Sequence, residues 1–376
     1  FERAWNFGFR VDTLRGVAVA VEALRRRGVR APQDHMLIGQ VNSPHFTMTG
    51  MCLVLVSPTP ISSDRVAAAE RFFSERGFTP VWLPGRKVPV ADWPQPSRDL
   101  AETIHGIILT KDPEAYYRDS AFDIAPATDD NPFYFVERAG PNRQARTGVN
   151  QLGVYLAILS ALVVPFLLAP LVAFARRSSR PKLGDLRMLV YFALLGLSFM
   201  LVEIEFFHVM ALLLGKPTLT LAVTLASLLV FSGIGSLFGE RLIEDNPTRL
   251  AVLFGSLTVM LAVFSLIGSR LVDALVHHSL GLRVMCTVLI VAPMAFCMGL
   301  PLPAGMRVIR DRADLVLWGW AINGAVSVFA SLAAIYLAIH FGIGRTFAVG
   351  CAGYAIAGLL LWNERRRARV VTAQES

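Results

Sequence analysis

Leu189-Val-Tyr-Phe-Ala-Leu-Leu-Gly-Leu-Ser-Phe-Met-Leu-Val-Glu203-Ile-Glu205-Phe-Phe-His208-Val-Met-Ala-Leu-Leu-Leu214 is an almost unbroken apolar run interrupted by three ionisable side chains. A hydrocarbon layer about 30 Å thick takes about 20 residues of α-helix to cross. Lipid offers no partner for an open backbone, so such a run closes its own hydrogen bonds as a helix. Six other runs read the same way: Leu152–Ala175, Leu219–Phe238, Leu250–Ile267, Val284–Leu302, Leu315–Ile339 and Thr346–Trp362. The expectation is an α-helical polytopic membrane protein of about seven transmembrane helices, its partner the lipid bilayer. Val272–Leu282 is too short to span, and its His277 and His278 read as interfacial rather than as metal ligands.

Composition agrees. Hydrophobic residues make up 54% and charged residues 17%, against about 45–50% and 25% in ordinary soluble domains. The excess lies in the second part of the chain. Residues 1–150 carry 18 Lys/Arg against 17 Asp/Glu, and residues 151–376 carry 18 against 11. A basic surplus beside apolar runs points to loops facing anionic lipid. No basic stripe on a folded face is visible, which excludes nucleic acid as a partner. Basic residues cluster in alternate loops: five in Arg176–Arg187, three in Arg307–Arg312 and four in Arg365–Arg369. The positive-inside rule puts these, including the basic tail 364–376, in the cytoplasm. Arg138, Arg143 and Arg146 before the first span argue for the other orientation of the soluble segment, so its side stays open.

Residues 1–125 read as a partial α/β segment. Leu14, Val17, Val21 and Leu24 form one stripe of a helix over Thr13–Arg27, stopped by Gly28. His35–Val41, Cys52–Ser57 and Thr79–Leu83 are strand candidates. Ser62 or Ser63 starts a helix through Glu75, and Ser97–Leu109 is another. This order fits the tail of a larger doubly wound domain. No Gly-rich turn follows an apolar strand, so no nucleotide-cradling loop is present in this stretch. Cys52, Cys286, Cys297 and Cys351 have no metal-finger spacing, and no disulfide or metal follows. Phe1 reads as the middle of a domain, and something longer is expected ahead of it.

Three constellations could carry chemistry. In residues 126–150, Thr128-Asp129-Asp130-Asn131-Pro132-Phe133 is either a side-chain-capped turn or a pair of carboxylates holding a cation or metal. In the second span, Glu203, Glu205 and His208 sit where ionisable groups are costly and turn to an interior or a cavity. Glu205 and His208 share a face, whereas Glu203 is about 160° from Glu205 on an ideal helix. The three are either a cation path or glue between helices, with Asn323 of the sixth span a candidate neighbour. Met298-Gly-Leu-Pro-Leu-Pro-Ala-Gly-Met306 reads either as a helix break lining a cavity or as a plain span end. Gly235-Ser-Leu-Phe-Gly239 has the spacing that brings helices close.

Taken in order, Thr128–Phe133, Phe199-Met-Leu-Val-Glu203-Ile, Gly215-Lys-Pro-Thr218, Phe231-Ser-Gly-Ile-Gly-Ser236, Met298-Gly-Leu-Pro-Leu-Pro303 and Trp320-Ala-Ile-Asn-Gly324 resemble the bacterial membrane-fused spermidine synthase-like proteins. The resemblance covers about Thr13 to Trp362. It implies that residues 1–125 are the carboxyl-terminal part of a spermidine synthase/methyltransferase-like domain that binds S-adenosylmethionine or its decarboxylated form. It implies a bacterial cytoplasmic (inner) membrane, with the missing amino-terminal part of the same protein as a partner. The Gly-rich loop and the catalytic acids of the family are absent from this chain, so no cofactor and no catalytic residue is assigned. Lys216 stands where relatives often carry His. The lead expectation is the membrane-embedded portion of an aminopropyl- or methyltransferase-type fused protein. The alternatives are a permease for a polyamine-like cation, with Glu203 and Glu205 as anionic ligands, and a non-catalytic membrane scaffold.

Overall fold

A computed structural model describes residues 2–6, 10–41, 51–91, 93, 97–120, 123–132, 148–176, 183–243 and 246–375. Arg138, Arg143 and Arg146, and the aromatic run Phe133–Phe135, lie outside them. The chain divides into two compact units, Phe1–Gln151 and Leu152–Ser376.

In the first unit the strands are β1 (Glu2–Asn6), β2 (Met36–Val41), β3 (Met51–Val56) and β4 (Thr79–Trp82). The helices are α1 (Arg10–Arg26), α2 (Ser63–Glu75), α3 (Ser97–Leu109) and α4 (Pro113–Asp119), with a 3-10 turn at Pro32–His35. The strand order is β1-β3-β2-β4, and every neighbouring pair is antiparallel. A doubly wound sheet is mostly parallel, and among the described residues no neighbouring pair of strands is parallel. Parallel crossovers are nonetheless there in split form. β1 and β2 run the same way, joined by α1, with β3 between them. β3 and β4 run the same way, joined by α2, with β2 between them. Both crossovers step in the same lateral direction from strands of opposite sense, so right-handedness sends α1 and α2 to opposite faces.

The cores follow that rule. Met36, Ile38, Cys52, Val54 and Val81 pack with the stripe Leu14, Val17, Val21 and Leu24 of α1 and with Leu100, Ile104 and Ile107 of α3. Leu37 and Leu53, one residue out of phase, pack with Val66 and Phe73 of α2, joined by Leu83 just past the end of β4. α1 ends in a left-handed Gly28 at φ 82°, where Val29 N–H donates to the Leu24 carbonyl. Ser62 holds the N-cap position of α2 but makes no side-chain cap bond. Gly39 leaves room for the Phe73 ring, which a Cβ there would meet at 2.9 Å.

The second unit is helical: α5 (Gly148–Arg176), α6 (Leu183–Leu214), α7 (Pro217–Ile243), α8 (Pro247–Leu275), α9 (Leu280–Gly299), α10 (Pro301–Ile309), α11 (Ala313–Phe341) and α12 (Ile343–Glu375). Among the described residues, six helices are long and apolar enough to cross a membrane, with α9 and α10 acting as one. The seventh expected run, Leu152–Ala175, lies within α5, of which Leu152–Pro165 qualifies as a shorter apolar helix. The protein is a multi-pass helical membrane protein.

α6 is the hub, packing against α7, α8, α9, α10, α11 and α12. Its sequence is apolar all round, as a helix that meets neighbours on some sides and lipid on the rest requires. Small residues set the close approaches: a Cβ on Gly235 or Gly299 would overlap the backbone carbonyl of Phe296 or Ser232 across the α7–α9 contact. The Pro-rich stretch does not unwind. Leu300 keeps helical angles (φ −71°, ψ −36°) between α9 and α10. Pro301 and Pro303 fall in the first turn of α10, where N–H groups lack intrahelical partners in any case.

Candidate functional site

α6 carries the sequence's main candidates. Glu203 and Glu205 are each 8% exposed and His208 is half-buried. The sequence geometry separates the two carboxylates around the helix, and the fold buries both against neighbouring helices. Glu203 makes no hydrogen bond or ion pair among the described residues and lies within electrostatic reach of Tyr354 on α12. Glu205 lies within reach of Cys351, one turn earlier on α12.

Asn323 sits on α11 against α6, where its Nδ2 donates to the Phe192 carbonyl oxygen at 3.1 Å. Gly196 permits that approach, since a Cβ there would overlap the Asn323 carbonyl. Asn323 thus holds two helices together, and it also lines a cleft of about 290 Å³. Leu195, Gly196 and Phe199 of α6 form one wall, Ser232, Gly233 and Ser236 of α7 another, and Met298 and Gly299 of α9 a third. Tyr354 of α12 closes the lining. Sequence reading found Asn323 and the Ser232–Ser236 stretch but missed Tyr354. A lone Tyr in an apolar helix carries no local signal of the partners that fold beside it.

The remaining candidates are not among the residues that line this cleft. Asp129 and Asp130 are the exposed central residues of a tight turn, closed by Asn131 N–H donating to the Thr128 carbonyl at 2.9 Å and to its hydroxyl at 3.2 Å. Lys216 is exposed at the α6–α7 turn, and its carbonyl accepts from Thr220 N–H. Arg283 at the start of α9 donates to the Leu213 carbonyl at 2.9 Å, capping the end of α6. His277 and His278 are exposed in the turn between α8 and α9. No group of three or more His, Cys, Asp or Glu able to hold a metal occurs among the described residues.

The opposite end of the bundle is tied by charge. Arg187 pairs with Glu364 at 3.0 Å, and Arg312 pairs with Asp185. Arg365, 7% exposed, donates to the Ala304 carbonyl, while Tyr191, fully buried, donates to that of Pro301. These bonds join α6, α10, α11 and α12 where the loops are most basic. The basic stretch after Trp362 is a continuation of α12 rather than a separate tail.

No protein family, no curated protein and no solved structure matches this chain.

Proposed function

We infer that this chain is the membrane-embedded portion of a spermidine synthase-like fused membrane protein, of aminopropyl- or methyltransferase type, in which residues 1–150 carry no Gly-rich cofactor loop. The observation that carries the reading is the pair β1-α1-β2: parallel strands joined through a helix, with β3 inserted antiparallel. Doubly wound sheets commonly carry an antiparallel strand on a parallel framework, and such an arrangement suits the last strands of one. The ordered motifs across both units support the same reading. The setting is a bacterial cytoplasmic membrane with the basic loops inside. Calorimetry of the purified chain with S-adenosylmethionine, and with its decarboxylated form, tests the reading. The expected result is no heat of binding, and micromolar binding to this chain alone would contradict the reading.

A second reading is favoured by Glu203, a buried carboxylate without a hydrogen bond or ion pair among the described residues. In it the bundle binds an organic cation of polyamine-like kind, with Glu203 as the anionic ligand. Counterflow of radiolabelled putrescine in proteoliposomes tests it. Flux unchanged in Glu203→Gln would sink it.

A further inference from the structure

The polar side chains of the cleft can accept hydrogen bonds: Ser232 and Ser327 already commit their hydroxyl protons to the Leu229 and Asn323 carbonyls, which leaves their lone pairs. The Phe192 carbonyl can only accept, so the Asn323 amide nitrogen faces it and Oδ1 is the group that remains. Tyr354 is 1% exposed, lines the cleft and makes no hydrogen bond among the described residues. Among the described residues no Lys or Arg lines the cleft. Glu203 lies on the α6 face of Gly196 and Phe199, seven and four residues further on, which places it one turn beyond the cleft wall. The rest of the lining is mainly apolar, from Leu195, Phe199, Leu229, Met298 and Leu302, with the hydroxyls of Ser232, Ser236 and Ser327 among them. Leu229, Gly233 and Ser236 are exposed in the middle of α7, so the cleft opens through the flank of the bundle and not at an end.

We propose that this cleft binds a monoamine with an apolar body, an alkyl- or arylalkylammonium entering from the bilayer, its head held by Asn323 Oδ1, the Tyr354 hydroxyl and Glu203. The inference rests on the cation-binding reading of Glu203 and names its ligand class. An ammonium offers three donors and no acceptor, which complements a site of acceptors beside one carboxylate. A second positive charge would find no counter-ion there, because Glu205 is turned about 160° away around α6. A volume of about 290 Å³ stands at the lower end of small-molecule pockets, about 300–1,000 Å³, and suits a single ring or short chain. The flank opening and apolar walls favour a ligand that partitions into lipid, which a polycation does not.

The test is binding of tritiated phenethylamine to the full chain in nanodiscs, read by scintillation proximity, with spermidine and neutral propylbenzene as competitors. Three variants decide it. Gly233→Leu fills the cleft from a position where a Cβ meets nothing within 4 Å, and Gly324→Leu is a control at an exposed helix site equally open. Glu203→Gln removes the charge. We expect saturable binding, weakened roughly tenfold or more by Gly233→Leu and by Glu203→Gln and changed less than about twofold by Gly324→Leu. Neither competitor displaces it. Binding indifferent to Gly233→Leu would place the amine elsewhere and overturn the proposal. Spermidine binding that needs Glu203, without phenethylamine binding, would keep the cation reading and overturn the monoamine. A folded chain that binds neither would overturn both.

Discussion

Gly233 and Gly235 lie two residues apart on α7, yet the structure assigns them opposite responses to the same substitution. A Cβ on Gly233 meets nothing within 4 Å, whereas one on Gly235 overlaps the Phe296 carbonyl oxygen of α9. Alanine is favoured over glycine inside a helix by about 1 kcal/mol, so Gly233→Ala is expected to be neutral or stabilising by up to that amount. At Gly235 the same gain is opposed. α7 and α9 must part by roughly 1 Å, a gap at which about half the dispersion well of each contacting pair is forfeited. Overpacking of this kind costs about 1–3 kcal/mol. The two variants should therefore differ by about 1–3 kcal/mol, with Gly235→Ala the less stable. Titrating the purified chain from mild detergent into SDS, followed by circular dichroism, measures the difference. Equal midpoints, or a more stable Gly235→Ala, would refute the α7–α9 approach.

Three other outcomes follow from the same geometry. Burial pushes the Cys52 thiol up to about 12 from 9.0. The folded state therefore keeps a proton that the unfolded chain loses, so this contribution to stability is full below pH 9 and disappears as pH rises toward 12. In the folded chain at pH 8, Cys52 should resist maleimide until denaturant is added. Charge reversal of the half-buried pair through Arg187→Glu alone should destabilise the bundle by about 1–3 kcal/mol, and Glu364→Arg in the same chain should restore part of it, as read by the SDS titration. Arg283→Ala removes the donor to the Leu213 carbonyl; it should cost about 1 kcal/mol and raise amide exchange in the last turn of α6.

The spans were legible because lipid imposes an apolar run on each of them, but their ends were not. The run ending at Trp362 belongs to a helix that continues to Glu375, and Leu189–Leu214 to one that starts at Leu183. Those extensions are polar, and hydropathy registers only the part inside the hydrocarbon. The α1 stripe and the three strands of residues 36–82 were readable from local periodicity. β1 was not, because its pairing with β3 lies some fifty residues away in sequence, Glu2 opposite Val56. Pro301 and Pro303 suggested a break, yet at the start of α10 a Pro costs no hydrogen bond. Asn323 showed itself as a lone amide in an apolar run. The cleft behind it is a tertiary fact, assembled from Gly196, Ser232 and Tyr354 on three separate helices.

Among the described residues the bundle makes six crossings, so that the α6–α7 and α8–α9 turns share one side and the α7–α8 turn, the α10–α11 turn and the end of α12 share the other. Single cysteines at Lys216, His278, Arg249, Arg310 and Arg366, introduced with Cys52, Cys286, Cys297 and Cys351 replaced, test it by labelling with a membrane-impermeant maleimide in sealed vesicles of one orientation. Lys216→Cys and His278→Cys should label together, and the other three only after the vesicles are opened, or the reverse if the orientation is inverted. Any one of the five reacting with the opposite set would contradict the six-crossing arrangement.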